Sequence, residues 1–180
     1  MNNQDMGTVI RDGGQRGLRY QRRLFHSPEK VWRAITESEH LRHWFPADIV
    51  GERRRGAAIE LPFWPATIDK HPMEETLLHG EIRVWQPPAV FEWTWDADVL
   101  RWELKAIEGG TLLTFTTWLG DPDSNVVNTA AGYHVCLDHL VLLLDHGSAP
   151  ALMDADVAPV ERRYAAIARA LEETPAQPPR

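Results

Sequence analysis

Cysteine is almost missing from this 180-residue chain. There is one, Cys136, so no internal disulfide can staple the fold. It lies beside an apolar stripe, and a buried, inert thiol is the reading that fits. Positive charge is also short: Lys and Arg number 19 against 26 Asp and Glu, for a formal net charge of −7. That balance argues against nucleic acid as a partner and against broad affinity for anionic membranes. The local run Arg53, Arg54, Arg55 reads as a solvated hairpin. No N-terminal apolar run follows a basic start, and no apolar stretch approaches the length that spans a bilayer. A cytosolic (cytoplasmic) chain without membrane insertion is expected. Also lacking are a Ser-His-Asp order, a glycine-rich phosphate loop and a cysteine pair, which removes hydrolase, nucleotide and zinc readings. His40 and His43 share a short segment, but no third ligand stands at a fixed spacing from them. Neither a metal nor a cofactor is expected.

What the chain has is apolar bulk, 43% hydrophobic residues with eight Trp, enough for a sizeable core. Its organising stretch is Asn125 to His146, NVVNTAAGYHVCLDHLVLLLDH. At about 100° per residue, Val126, Ala130, Tyr133, Leu137, Leu140, Val141 and Leu144 form one stripe. His134, Asp138 and Asp145 share the opposite flank. The spacing predicts a long amphipathic helix, closed by Gly147 as C-cap. Such a helix needs an apolar surface to lie on.

The strands before it supply one. Thr8 to Ile10 and Leu18 to Leu24 read as a hairpin around Arg11-Asp12-Gly13-Gly14. Ser27-Pro28-Glu29-Lys30 is a helix start, and a second short helix carries Leu41, Trp44 and Phe45 until Pro46 stops it. Asp48 to Val50 and Ala57 to Phe63 read as strands. Pro62, Pro65 and Pro72 predict irregular chain from Phe63 to Leu77. Gly80 to Trp85, Val90 to Trp95, Val99 to Ile107 and Thr111 to Leu119 alternate as antiparallel strands with one buried face. Phe91, Trp93 and Trp95 share that face. The expected division is a flexible N-terminus at 1–7, one domain at 8–147, a linker and amphipathic helix at 148–174, and a disordered tail at 175–180. The aligned Val160, Tyr164, Ile167 and Leu171 suggest that this helix docks on the domain or on a second subunit. The linker makes that docking optional for the fold.

The blocks S-P-E-K-V-W-R-A-I-T, H-L-R-H-W-F-P, W-Q-P-P, F-E-W-T-W, G-G-T-L-L-T-F-T and A-G-Y-H-V-C-L-D-H-L occur in this order. Together they resemble the START-like (SRPBCC) superfamily, over roughly Leu18 to Gly147. The branch is the one named for the C-terminal domain of the activator of the heat-shock-protein-90 ATPase. The resemblance implies an α+β helix-grip fold, a curved antiparallel sheet wrapped around a long C-terminal helix. It also implies an elongated cavity between the two. Relatives bind lipids, sterols, hormones or polyketides, and a few catalyse cyclisation or aromatisation. The family usually carries Trp where this chain has Tyr133, whose hydroxyl needs a partner.

Three functions follow as expectations. The first is a binding protein for a small hydrophobic or aromatic molecule, with Trp44, Phe45, Phe63, Phe91, Trp93, Trp95, Trp102, Phe115, Tyr133, His134, Leu137 and Asp138 lining the cavity. The second is a protein-interaction module with a chaperone partner. The third is a cyclase-like enzyme using His134, Tyr133 or Asp138. A homodimer through the C-terminal helix is also allowed. Against these stand plainer readings: the aromatics as packed core, and His134 with Asp138 as an ordinary i,i+4 pair.

Overall fold

Gly13 (φ 53°) and Gly14 (φ 87°) take the left-handed conformations that a two-residue hairpin turn demands. They join β1 (Thr8–Asp12) to β2 (Gln15–Leu24) in the computed structural model, which describes residues 6–173. Alternation in β2 turns Leu18, Tyr20, Arg22 and Leu24 inward. Helix α1 (Pro28–Thr36) begins as expected: Ser27 Oγ accepts from the Lys30 amide at 3.3 Å, and Pro28 sits where no N–H is needed. Helix α2 (Ser38–Leu41) follows, and Trp44 and Phe45 turn into the core behind it.

The stretch after β3 (Ala58–Pro62) departs from expectation. Residues Pro65–Lys70 form a short helix, α3, where three prolines had suggested irregular chain. Pro65 opens α3 at a position whose N–H would have no partner, so it starts the helix instead of breaking it. The expected strand at Asp48 to Val50 reduces to two single bridges, Ala47 with Phe63 and Val50 with Glu60.

Strands β4 (Leu77–Gln86), β5 (Val90–Trp95), β6 (Asp98–Ile107) and β7 (Gly110–Trp118) complete a curved antiparallel sheet. Its order is β1-β2-β7-β6-β5-β4-β3, so the first long strand lies beside the last. Helix α4 (Val126–His146) packs on the inner face, capped by Asn125 Oδ1 at one end and by left-handed Gly147 at the other. The fold is the expected α+β helix grip. Contrary to the sequence reading, α4 is long and apolar enough to cross a membrane by length and composition. Here its apolar stripe, Ala130, Leu137, Leu140 and Leu144, lies buried in the core.

Beyond α4 the chain runs as a strap, with a 3-10 turn at Leu152–Asp154, into α5 (Ala158–Glu173). Val160 and Tyr164 bury themselves in the core, so α5 docks on its own domain. Met6 and Gly7 are buried too, and the Gly7 amide donates to Tyr164 Oη at 2.7 Å. The expected flexible start therefore does not extend to these two residues. A side chain at residue 7 would sit 2.3 Å from the Tyr20 ring, so glycine alone permits this approach. The expectations for 1–5 and for 175–180 lie outside the described residues.

Candidate functional site

The space between sheet and helix is filled by aromatic rings. Trp102 and Phe115 stack at 4.0 Å, Trp44 meets Trp102 edge-on at 5.5 Å, and Phe45 meets Trp93 at 5.8 Å. Trp44, Phe91, Trp93, Trp102, Phe115 and Leu137 are all buried among one another. The plain reading of these six as packed core accounts for their positions. Trp44 Nε1 donates to Ala34 O at 2.9 Å, whereas the Trp93 indole N–H has no partner among the described residues.

Open space lies at one end of this aromatic stack. A cleft of about 460 Å³ is bounded by four pieces of chain. Thr129, Gly132, Tyr133 and Cys136 come from α4, at the i, i+3, i+4, i+7 spacing of one helix face. Phe45 and Pro46 come from the chain that follows α2, and Thr67, Lys70 and His71 belong to α3 and its end. Trp95 and Asp98 flank the β5–β6 turn, while Leu152, Met153, Ala155 and Val157 of the strap form the outer wall. Of the residues expected from sequence to line a cavity, the structure places Phe45, Trp95 and Tyr133 here. Phe63 stands one layer away, edge-on to Trp95 at 5.5 Å.

His134 and Asp138 are not in the cleft. They leave α4 on the other flank, toward α5 and β2. His134 is buried, with Nδ1 at 3.1 Å from Tyr164 Oη and Nε2 at 3.4 Å from Asp138. Tyr164 Oη accepts from the Gly7 amide as well as bonding His134 Nδ1. Asp138 also pairs with buried Arg22 at 3.5 Å. Burial alone would raise the Asp138 carboxyl, but the His134 hydrogen bond and the charges of His134 and Arg22 outweigh it. The net position lies below the usual carboxylate range. This constellation ties β2, α4, α5 and Gly7 together, and none of its residues lines the cleft.

Inside the cleft the chemistry is sparse. Cys136 is buried, and burial pushes its thiol up to about 12, so it stays protonated. Tyr133, edge-on to Phe115 at 5.0 Å, is likewise held protonated, by burial first and then by the Asp98 charge. Asp98 is the one acidic residue of the lining. The turn before it holds Asp96 in a left-handed conformation (φ 50°), and Asp98 Oδ1 accepts from the Gly120 amide at 2.8 Å. Gly120 is forced: a β-carbon there would lie 2.2 Å from Ala97 O. Burial foremost, then the Asp96 and Asp121 charges, raise the Asp98 carboxyl above its ordinary value against the pull of that hydrogen bond. Sequence reasoning missed Asp98, α3 and the strap. One signal was readable: Gly132 sits inside a helix, where glycine costs up to about 1 kcal/mol and usually marks needed space.

Among the described residues no cluster of three or more His, Cys, Asp or Glu could hold a metal. His40 instead lies 3.6 Å from Glu37.

Solved structures share this architecture. A conserved protein of unknown function from Enterococcus faecalis, EF2215, superposes with a TM-score of 0.73 at 20% identity, over 93% of this chain and 92% of that one. The solution structure of CalU16 from Micromonospora echinospora gives 0.66 at 18% identity, over 96% and 98%. Protein NE0264 from Nitrosomonas europaea gives 0.60 at 19%, covering 77% of this chain but 99% of its own. At these identities the likeness establishes the fold. No curated protein matches the chain. Residues 26–145 match the family described as activator of Hsp90 ATPase homolog 1-like protein, and the chain therefore belongs to that family, within the START-like superfamily.

Proposed function

We propose that the protein is a soluble, cytoplasmic binding protein for a small, mainly apolar molecule, held in the cleft between α4, α3 and the strap. The observation that carries this reading is the cleft itself. Its volume, about 460 Å³, falls in the range of small-molecule sites, and its lining is apolar and aromatic with few polar groups. The site lies at the end of the sheet–helix interface because the aromatic stack occupies the middle.

The family description favours a second reading, an interaction module for a chaperone. It has less support from the surface. The large apolar side chains exposed among the described residues, Val9, Phe25, Val50 and Ile167, stand singly on separate parts of the chain. A cyclase-like reading loses His134 and Asp138, which lie away from the cleft.

Gly132 provides the test. A β-carbon at this position meets open space, so Gly132→Phe is expected to fold and to fill the cleft. Titration of a panel of apolar and aromatic compounds should quench tryptophan fluorescence in the parent protein, with micromolar affinity worth about −8 kcal/mol. The variant should lose about tenfold or more of that affinity while keeping its melting temperature. If no compound shifts fluorescence or melting temperature, the binding reading is wrong and the interaction module replaces it.

A further inference from the structure

We propose that the cleft selects a protonated amine carried on an apolar or aromatic body, with Asp98 as its counter-charge. The inference rests on the binding reading above and names the ligand's chemistry. Asp98 lines the cleft, yet only one of its oxygens is engaged, by the Gly120 amide. Among the described residues the other oxygen has no hydrogen-bond partner, and none of their ion pairs involves Asp98. Half-burying an unpaired carboxylate is costly unless something brings positive charge to it. Nothing in the described chain does.

The neighbours point the same way. Asp96 and Asp121 add negative potential at Asp98, and their charges help to raise its proton affinity. Phe45, Trp95 and Tyr133 line the same space, and aromatic rings attract a cation that has given up part of its hydration. Lys70 and His71 stand on the α3 wall and are exposed, so water screens them. An anionic ligand such as a fatty acid would set its charge against Asp98. A neutral one would leave the carboxylate as unpaired as before. The strap and the α4 face supply the apolar surface for the rest of the molecule.

Calorimetric titration with three matched probes tests this: 1-naphthylmethylamine, 1-naphthylmethanol and 1-naphthoic acid, cation, neutral and anion at neutral pH. The amine should bind about tenfold tighter than the alcohol, and the acid weakest. Asp98→Asn keeps an oxygen for the Gly120 amide. It should bring the amine to the alcohol's affinity and leave the alcohol unchanged. An alcohol that binds the parent protein as tightly as the amine overturns the charge inference and leaves the binding reading standing. That comparison needs no variant, so it holds even if Asp98→Asn misfolds. If none of the three binds, both readings fall.

Discussion

Asp138 shows how far a single side chain can be read before its neighbours are known. Its spacing from His134 was legible, since residues four apart on a helix meet. Its second partner was not: Arg22 reaches it from a strand more than a hundred residues earlier in the chain. The side-chain direction of Arg22 follows from β2 alternation, but nothing in sequence says which helix face that strand will meet. The Asp138 carboxyl is held below its usual range, so its charge stabilises the fold above the unfolded value near 4. That contribution is lost as pH falls through the lower folded value. Asp138→Asn should therefore cost about 1 kcal/mol near neutral pH, a modest figure because the side chain is one-third exposed and screened. The gap between variant and parent should close once the pH falls below about 4. Urea melts at several pH values measure it, and a constant gap across that range would show that the carboxylate's charge is irrelevant. Asp98 went unread for a related reason: an acid after a strand is ordinary, and only the folded turn reveals that it faces apolar space.

At the scale of elements, periodicity carried most of the fold. The alternation of β5 to β7 and the stripe on α4 are consequences of local geometry, and they appear where sequence places them. Helix α3 did not, because the same residue type both starts and stops helices, and which it does depends on whether its N–H is missed. Helix α5 was legible as amphipathic, but its docking was read as optional for the fold. The structure makes Tyr164 the partner of two buried groups, the Gly7 amide and His134 Nδ1. Removing its hydroxyl leaves both short of a partner. Tyr164→Phe is thus expected to destabilise the protein by about 1–3 kcal/mol, read from chemical denaturation. A variant as stable as the parent would mean that α5 rests on the core without being fastened to it. The cleft was the least legible element of all. Its place depends on which rings fill the middle of the grip, a question of summed volume that no local pattern answers.

At the scale of the whole molecule, the sheet order sets a timetable for the ribosome. Strand β2 forms its inner ladder with β7, Leu18 opposite Thr117 and Leu24 opposite Thr111. A chain emerging from its N-terminus must therefore hold the inner edge of β2 unpaired until β7 has been made. The hydrophobic faces of the meander wait longer still, for α4. Local contacts can form early, but the closing pairings are distant in sequence, and such topologies acquire their stability late and together. Stalled nascent chains ending before Gly110 should be digested by protease at low concentration, and protection should arrive in one step after His146 has cleared the exit tunnel. Until that point the unpaired edge of β2 and the tryptophans of β5 and β6 are what a cell's holding factors would find.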